Sequence, residues 1–276
     1  MYIRKPAVAG SFYPGDPDYL REVITGFLTD AGPLSPEFEH DKIMGVISPH
    51  AGYVYSGPVA AYGYKYLERS SLDSFVIIAP SHRGRFNGAS IIPGGIYRTP
   101  LGDVEIDSGL GEKLEKREHF GFLKEAQEME HSLEVQVPFL QMVKPDVKIV
   151  PVVMGTVHTD LCRAIGETIA EEIISSGKSY GIIISTDLSH YHPYNEAVKK
   201  DKNFILALET FSEKKVEESI ASGKSEACGE GAILAGMFLA RKLGAGSIKT
   251  LKYANSGDTA GPKDQVVGYL SALILK

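Results

Sequence analysis

Tryptophan is absent from this chain, and its 276 residues include only two cysteines, Cys162 and Cys228. Two such thiols cannot build a disulfide framework, which excludes the class of small secreted domains held by several bridges and fits a reducing compartment. No apolar run approaches the ~20 residues that a membrane span needs. Behind Met1-Tyr2-Ile3-Arg4-Lys5-Pro6 there is no hydrophobic core of a signal peptide, so a cytoplasmic location is expected. Positive charge is in deficit, with 29 Lys and Arg against 35 Asp and Glu and a formal net charge of -6. That balance argues against a general binder of nucleic acid or of anionic membranes. The basic pairs Lys199-Lys200 and Lys214-Lys215 adjoin Asp or Glu and read as solvated helix faces. There is no G-x-G-x-x-G after a strand and no P-loop signature, so the common nucleotide sites are missing too.

What the chain does contain is enough apolar residue, 43% of the total, to bury a sizeable core. The opening Gly10–Pro17 is rich in turn residues and leads into a helix near Asp18–Leu28, with Asp16 or Asp18 as its cap. Strand, tight loop and helix are expected in Lys42–Arg69, with Pro58 near the helix start, and a second strand in Ser74–Ala79. Arg83–Gly102 reads as an excursion over the sheet edge that includes a short strand, Ala89–Pro93. Helices are expected over Ser108–Arg117, Ser132–Val143, Thr159–Ser175, Asn195–Thr210 and Cys228–Leu243. Further strands fall at Val147–Met154, Tyr180–Ser185, Lys249–Ala254 and Val266–Ile274. Alternation of strand and helix predicts an α/β fold: a mostly parallel, doubly wound sheet flanked by helices, in one domain spanning 1–276.

Three apolar runs each end at a histidine: Val46-Ile47-Ser48-Pro49-His50, Val76 to Pro80-Ser81-His82, and Ile182 to Ser185-Thr186-Asp187-Leu188-Ser189-His190. Ligands bind beyond the carboxyl ends of parallel strands, so His50, His82, Asp187 and His190 are expected to share one rim. Imidazoles and a carboxylate gathered there can hold a metal or move protons. The Asp187–His190 spacing would put both on one side of a helical turn, and Asp187 can orient an imidazole, ligate a metal, serve as a base or cap a helix. His192 precedes Pro193 and is expected to point away. In Glu130-His131-Ser132-Leu133-Glu134, His131 opens a helix, as a surface neighbour of the cap or as an outer proton carrier. His40, His119 and His158 have no organised partners and are expected to be exposed.

Cys228-Gly229-Glu230-Gly231 precedes an apolar helix, where the helix dipole favours a thiolate; the alternative is an inert packed cysteine, the expected fate of Cys162. His50, His82 and Cys228 would make a soft set suited to Fe, Cu or Zn rather than Mg or Ca. The same parts permit a cysteine hydrolase, with Cys228 as nucleophile, His190 as base and Asp187 as its orienter.

The order of several motifs carries a resemblance. Pro6-Ala7-Val8-Ala9-Gly10-Ser11-Phe12-Tyr13-Pro14, Pro49-His50-Ala51-Gly52-Tyr53, Pro80-Ser81-His82, Glu130–Glu134, Ser185–His190, Cys228-Gly229 and Tyr253-Ala254-Asn255-Ser256 together resemble the Memo family, over essentially the whole chain. That family is similar to LigB-type class III extradiol dioxygenases, and the resemblance implies their α/β fold. It implies a metal held by His50, His82 and Cys228, with Asp187 and His190 lining the pocket; His131, on the residue reading above, is expected to support them from further out. In the dioxygenases a carboxylate fills the third ligand position, where this chain has an oxidisable thiol, so ring cleavage does not follow directly. A redox-capable iron or copper site is implied, zinc being the other candidate, with oxidation of a small molecule as the activity. Eukaryotic Memo has been linked to phosphotyrosine peptides, which makes a non-catalytic peptide- or partner-binding module the rival; no Arg-rich phosphate signature lies near the motifs. Prokaryotic members look associated with a radical-SAM protein and an AMMECR-type partner.

Overall fold

Apolar runs without alternation become strands covered on both faces, since only such strands bury every side chain. The structure, a computed structural model, describes residues 1–276. Its strands in chain order are β1 (Ile3–Arg4), β2 (Ile43–Ser48), β3 (Ser74–Pro80), β4 (Ala89–Ile91), β5 (Gly95–Thr99) and β6 (Gly102–Ile106), then β7 (Phe120–Gly121), β8 (Lys148–Met154), β9 (Gly181–Ser185), β10 (His190–His192), β11 (Ser247–Asn255) and β12 (Val266–Leu275). The helices are α1 (Pro17–Asp30), α2 (Tyr53–Arg69), α3 (Ser108–Glu115), α4 (Lys124–Glu128), α5 (His131–Glu134) and α6 (Gln136–Val143), then α7 (Thr159–Ser176), α8 (Tyr194–Glu209), α9 (Glu213–Ala221), α10 (Glu230–Lys242) and α11 (Ser256–Thr259).

The main path of the sheet runs β1-β5-β6-β8-β3-β9-β2-β12-β10. Strands β6, β8, β3, β9 and β2 are parallel neighbours, so the carboxyl ends of β3, β9 and β2 lie side by side. That adjacency turns three separate sequence motifs into one rim. Residues alternate between two cores: Val76, Ile78, Ile182 and Ile184 pack under α7 and α10, while Phe75, Ile77, Ile183 and Val46 pack under α1, α2 and α6. Helices on both faces agree with the expected doubly wound α/β plan.

The sheet is mixed rather than mostly parallel. β12 runs antiparallel to β2, β11 and β10, β5 is antiparallel to β6, and β4 to β8. A short connection forces this for β5 and β6, because a turn of a few residues can join only antiparallel strands. Pro100-Leu101 links β5 to β6, so half of the expected excursion is a hairpin whose second strand joins the main sheet. The helix expected over Ser132–Val143 is broken at Val135 into α5 and α6. Pro138 is the reason: it has no N–H for the carbonyl of Glu134, and its ring crowds that carbonyl. Pro58 lies in the second turn of α2 rather than at its start. The sequence reading missed α9, a charged helix with Ser212 as its cap. No helix is long and apolar enough to cross a membrane.

Candidate metal centre

The carboxyl ends of β2 and β3 deliver His50 and His82, and the first residue of α5 delivers His131. Donor nitrogens of these three rings all lie within 4.8 Å of one another. The ring centres stand 5.2 Å (His50–His82), 5.6 Å (His50–His131) and 4.4 Å (His82–His131) apart. His131 is therefore part of the cluster itself, not an outer neighbour or a surface residue. Its assignment fails from sequence because α5 is remote in the chain and reaches the rim only through the tertiary fold.

Hydrogen bonds behind the rings fix which nitrogen faces the centre. The hydroxyl of Ser185 donates to the carbonyl of Ser132 at 2.6 Å, which uses its one proton. Gln136 Nε2 donates to Pro49 O and to Ser185 Oγ, both at 2.9 Å. His50 Nδ1 is 2.9 Å from the same Ser185 oxygen and must be the donor there. Its Nε2 is left with a lone pair, the form that binds a metal. Glu130 does the same for His82: it accepts the ring Nδ1–H at 2.9 Å and the backbone N–H at 2.6 Å. His131 Nδ1 lies 3.4 Å from the same carboxylate. This carboxylate–histidine arrangement is the usual outer support of a metal site.

Electrostatics agree. Burial pushes Glu130 up, but hydrogen bonds from the His82 ring, the His82 backbone and Ser132 outweigh it and hold the carboxyl down at about 2. Burial and the neighbouring rings push His50 well down and His131 down to about 4. His50 and His131 are thus neutral at pH 7, while the buried carboxylate beside them is charged.

Cys228 comes to the rim because Gly229 packs on the end of β9, where any Cβ would stand 2.6 Å from Ser185 O. Cys228 Sγ lies 3.2 Å from His50 Nε2 and accepts the Asp187 N–H at 3.2 Å. A thiol and an imidazole bound to a common ion are separated by ~3.5 Å, given their bond lengths. The expected thiolate is not favoured in the metal-free protein. α10 starts two residues later, at Glu230, and burial together with the Asp187 carboxyl raises the thiol pKa. Cys228 lines a separate cavity of about 320 Å³, with Arg85 and His158, and is not among the residues lining the cleft over the histidines. Cys162 is fully buried in the core, as expected.

A cleft of about 550 Å³ opens over the cluster, lined by His50, His82 and His131, by Asp187 and His190, and by Phe12, Tyr55, Tyr191 and Tyr269. Asp187 and His190 do line one pocket, but not on a helical turn, because residues 186–189 are irregular and His190 opens β10. Nor does Asp187 cap a helix; its Oδ1 accepts the His50 N–H at 2.7 Å. Burial pushes Asp187 up to about 7 and lowers His190. His192 points away, to Glu226 and Glu196, and His40, His119 and His158 are exposed. Ser185, Gln136 and Glu130 carry supporting roles the sequence did not disclose. The available hint was a hydroxyl ending the fully buried Ile182–Ile184 run.

The family description "Memo-like protein" matches residues 4–273. Relatives bearing the name MEMO1 family protein include one from Pyrobaculum arsenaticum, 37% identical over 99% of both chains. Another, from Methanothermobacter thermautotrophicus, is 39% identical over 97% of this chain and 98% of its own. A third, from Caldivirga maquilingensis, is 38% identical over the full length of both.

Proposed function

This chain belongs to the Memo-like family, and from that premise we propose that the cluster is an iron or copper centre serving oxidation of a small molecule. The observation that carries the proposal is the convergence of three imidazoles beside a buried, ionised carboxylate that pairs with no Lys or Arg side chain. Such a site favours an arriving cation, and imidazole with thiol selects Fe, Cu or Zn over harder ions. His50 and His82 are the proposed ligands together with Cys228, and His131 adds a further nitrogen. The LigB-type dioxygenase likeness belongs to the same proposal. A bound ion of this kind supplies one-electron and oxygen chemistry. Asp187, titrating near neutrality, would give or take a proton at its carboxyl, and the neutral His190 would accept one from a bound molecule.

Two rivals are weaker. A phosphopeptide-binding module would want cations, and neither Lys nor Arg lines the cleft. For a cysteine hydrolase, the imidazole beside Cys228 is His50, not His190, and the thiol is held protonated. The pathway link to radical-SAM and AMMECR-type proteins remains part of the proposal, to be checked by co-purification. Metal analysis of protein purified without added ions, beside His50→Ala, Cys228→Ala and His131→Ala, tests the centre. Bound iron or copper that falls in the variants supports it, and equal content in all four would remove the ligand assignment.

A further inference from the structure

We infer that the groove between α1 and the Gly10–Pro14 turn is a second binding site, separate from the histidine cluster, and that it takes a linear aliphatic diamine or polyamine. The groove holds about 590 Å³. One wall is the turn with the start of α2, through Phe12, Pro14 and Val54. The other is a single face of α1, which presents Tyr19, Glu22, Val23, Gly26 and Asp30. Phe12 is the partition from the metal cleft, since it lines both spaces and its ring lies 4.7 Å from that of His131.

Charge and spacing name the ligand. Glu22 and Asp30 are the only charged residues that line the groove; Arg21, the one cation on α1, is not among them. Eight residues of helix separate the two carboxylates, a rise of ~12 Å. A fully extended eight-carbon chain with an ammonium at each end spans nearly that length. The walls between are apolar, which suits methylenes, and Tyr19, one turn from Glu22, adds an aromatic ring beside the ammonium.

Gly26 is the independent sign of an occupant. It lies midway between Glu22 and Asp30 in the interior of α1, where glycine costs helix stability against alanine. Glycines inside the other long helices are there for packing: an added Cβ at Gly57, Gly63, Gly166 or Gly236 would stand 2.2–2.9 Å from a neighbour. At Gly26 it would meet nothing within 4 Å, and the backbone there is not in the left-handed region. The fold itself gives no reason for this glycine. A chain lying close across the helix backbone, from one carboxylate to the other, does.

Calorimetric titration of the full chain at neutral pH, where such amines are protonated, tests the site. The probes are 1,8-diaminooctane, 1,4-diaminobutane, which is too short to reach both carboxylates, and 1,8-octanediol, which keeps the length without the charge. The eight-carbon diamine should bind about fivefold to twentyfold tighter than the four-carbon one, and the diol should not bind. Glu22→Gln and Asp30→Asn should each weaken the eight-carbon diamine about threefold to fivefold, while Glu118→Gln, an exposed carboxylate on another segment, leaves it unchanged. Gly26→Leu fills the floor of the groove and should weaken binding about tenfold, yet melt no lower than the unmodified chain. Absence of diamine binding to the unmodified chain, affinity independent of chain length, or an equal loss in Glu118→Gln would each overturn the inference. So would a Gly26→Leu protein that melts lower or binds as well as the unmodified one.

Discussion

Glu130 and Glu134 flank the same four-residue helix, one as its cap and one as its last residue, and both are sealed from water. Their partners differ. Glu134 is paired with the equally buried guanidinium of Arg4 and accepts the N–H groups of Ala7 and Val8 and the hydroxyl of Tyr13. Every one of those partners belongs to the N-terminal segment, so this carboxylate fastens that segment to the body. Glu130 holds instead the ring and backbone N–H groups of His82 and the N–H of Ser132; Arg4 reaches only its backbone carbonyl. A buried carboxylate with a permanent cation is complete. One that meets only imidazoles and backbone N–H groups has no permanent cation and is open to an arriving one, and that separates a structural ion pair from a metal support.

The contrast can be broken by substitution. Glu134→Ala leaves Arg4 charged and unpaired in the core and should cost about 3–5 kcal/mol in denaturant unfolding. Glu130→Gln should cost less stability but weaken metal binding about 10–100-fold in a chelator competition. If the two effects were exchanged, the division of labour proposed here would be wrong. A third experiment concerns His131, beside Glu130, in metal-free protein. His131 titrates at about 4 when folded against 6.5 for the free side chain, so the unfolded chain binds more protons between those values. Stability should therefore fall as pH drops from about 6.5 to about 4, and His131→Asn should remove a part of that fall on the order of 1–3 kcal/mol. A pH profile unchanged by the substitution would mean that His131 is already solvated. The smallest expected effect is that of Ser185→Ala, which frees the His50 ring to adopt either tautomer. Metal affinity should drop about tenfold, while Glu130 continues to hold His82. No change would show that Ser185 does not set the tautomer.

Much of this was legible along the chain. Strands ending at His50, His82 and Ser185 announced themselves by apolar runs that stop at polar residues, and the parallel order of β2, β9 and β3 then made one rim of them. The hairpin Gly95–Ile106 was hidden because the exposed positions of its short strands carry Arg98, Asp103 and Glu105. His131 could not be placed, since its helix meets the rim through tertiary contacts such as those of Ser132, whose hydroxyl donates to Pro80 O and whose carbonyl accepts from Ser185. Tyr191, which lines the cleft beside His190, was unreadable for another reason: alternation says that neighbours in a strand face opposite ways, and the bulge in β10 is an exception that local sequence does not mark.

The most direct test of the central claim is X-ray absorption at the metal edge, on protein purified without added ions. Convergence of His50, His82 and His131 predicts bound iron or copper with imidazole nitrogen scattering that diminishes in His131→Ala, and a sulfur contribution that Cys228→Ser removes. An oxygen-only shell, unchanged in His50→Ala and His131→Ala, would contradict the account.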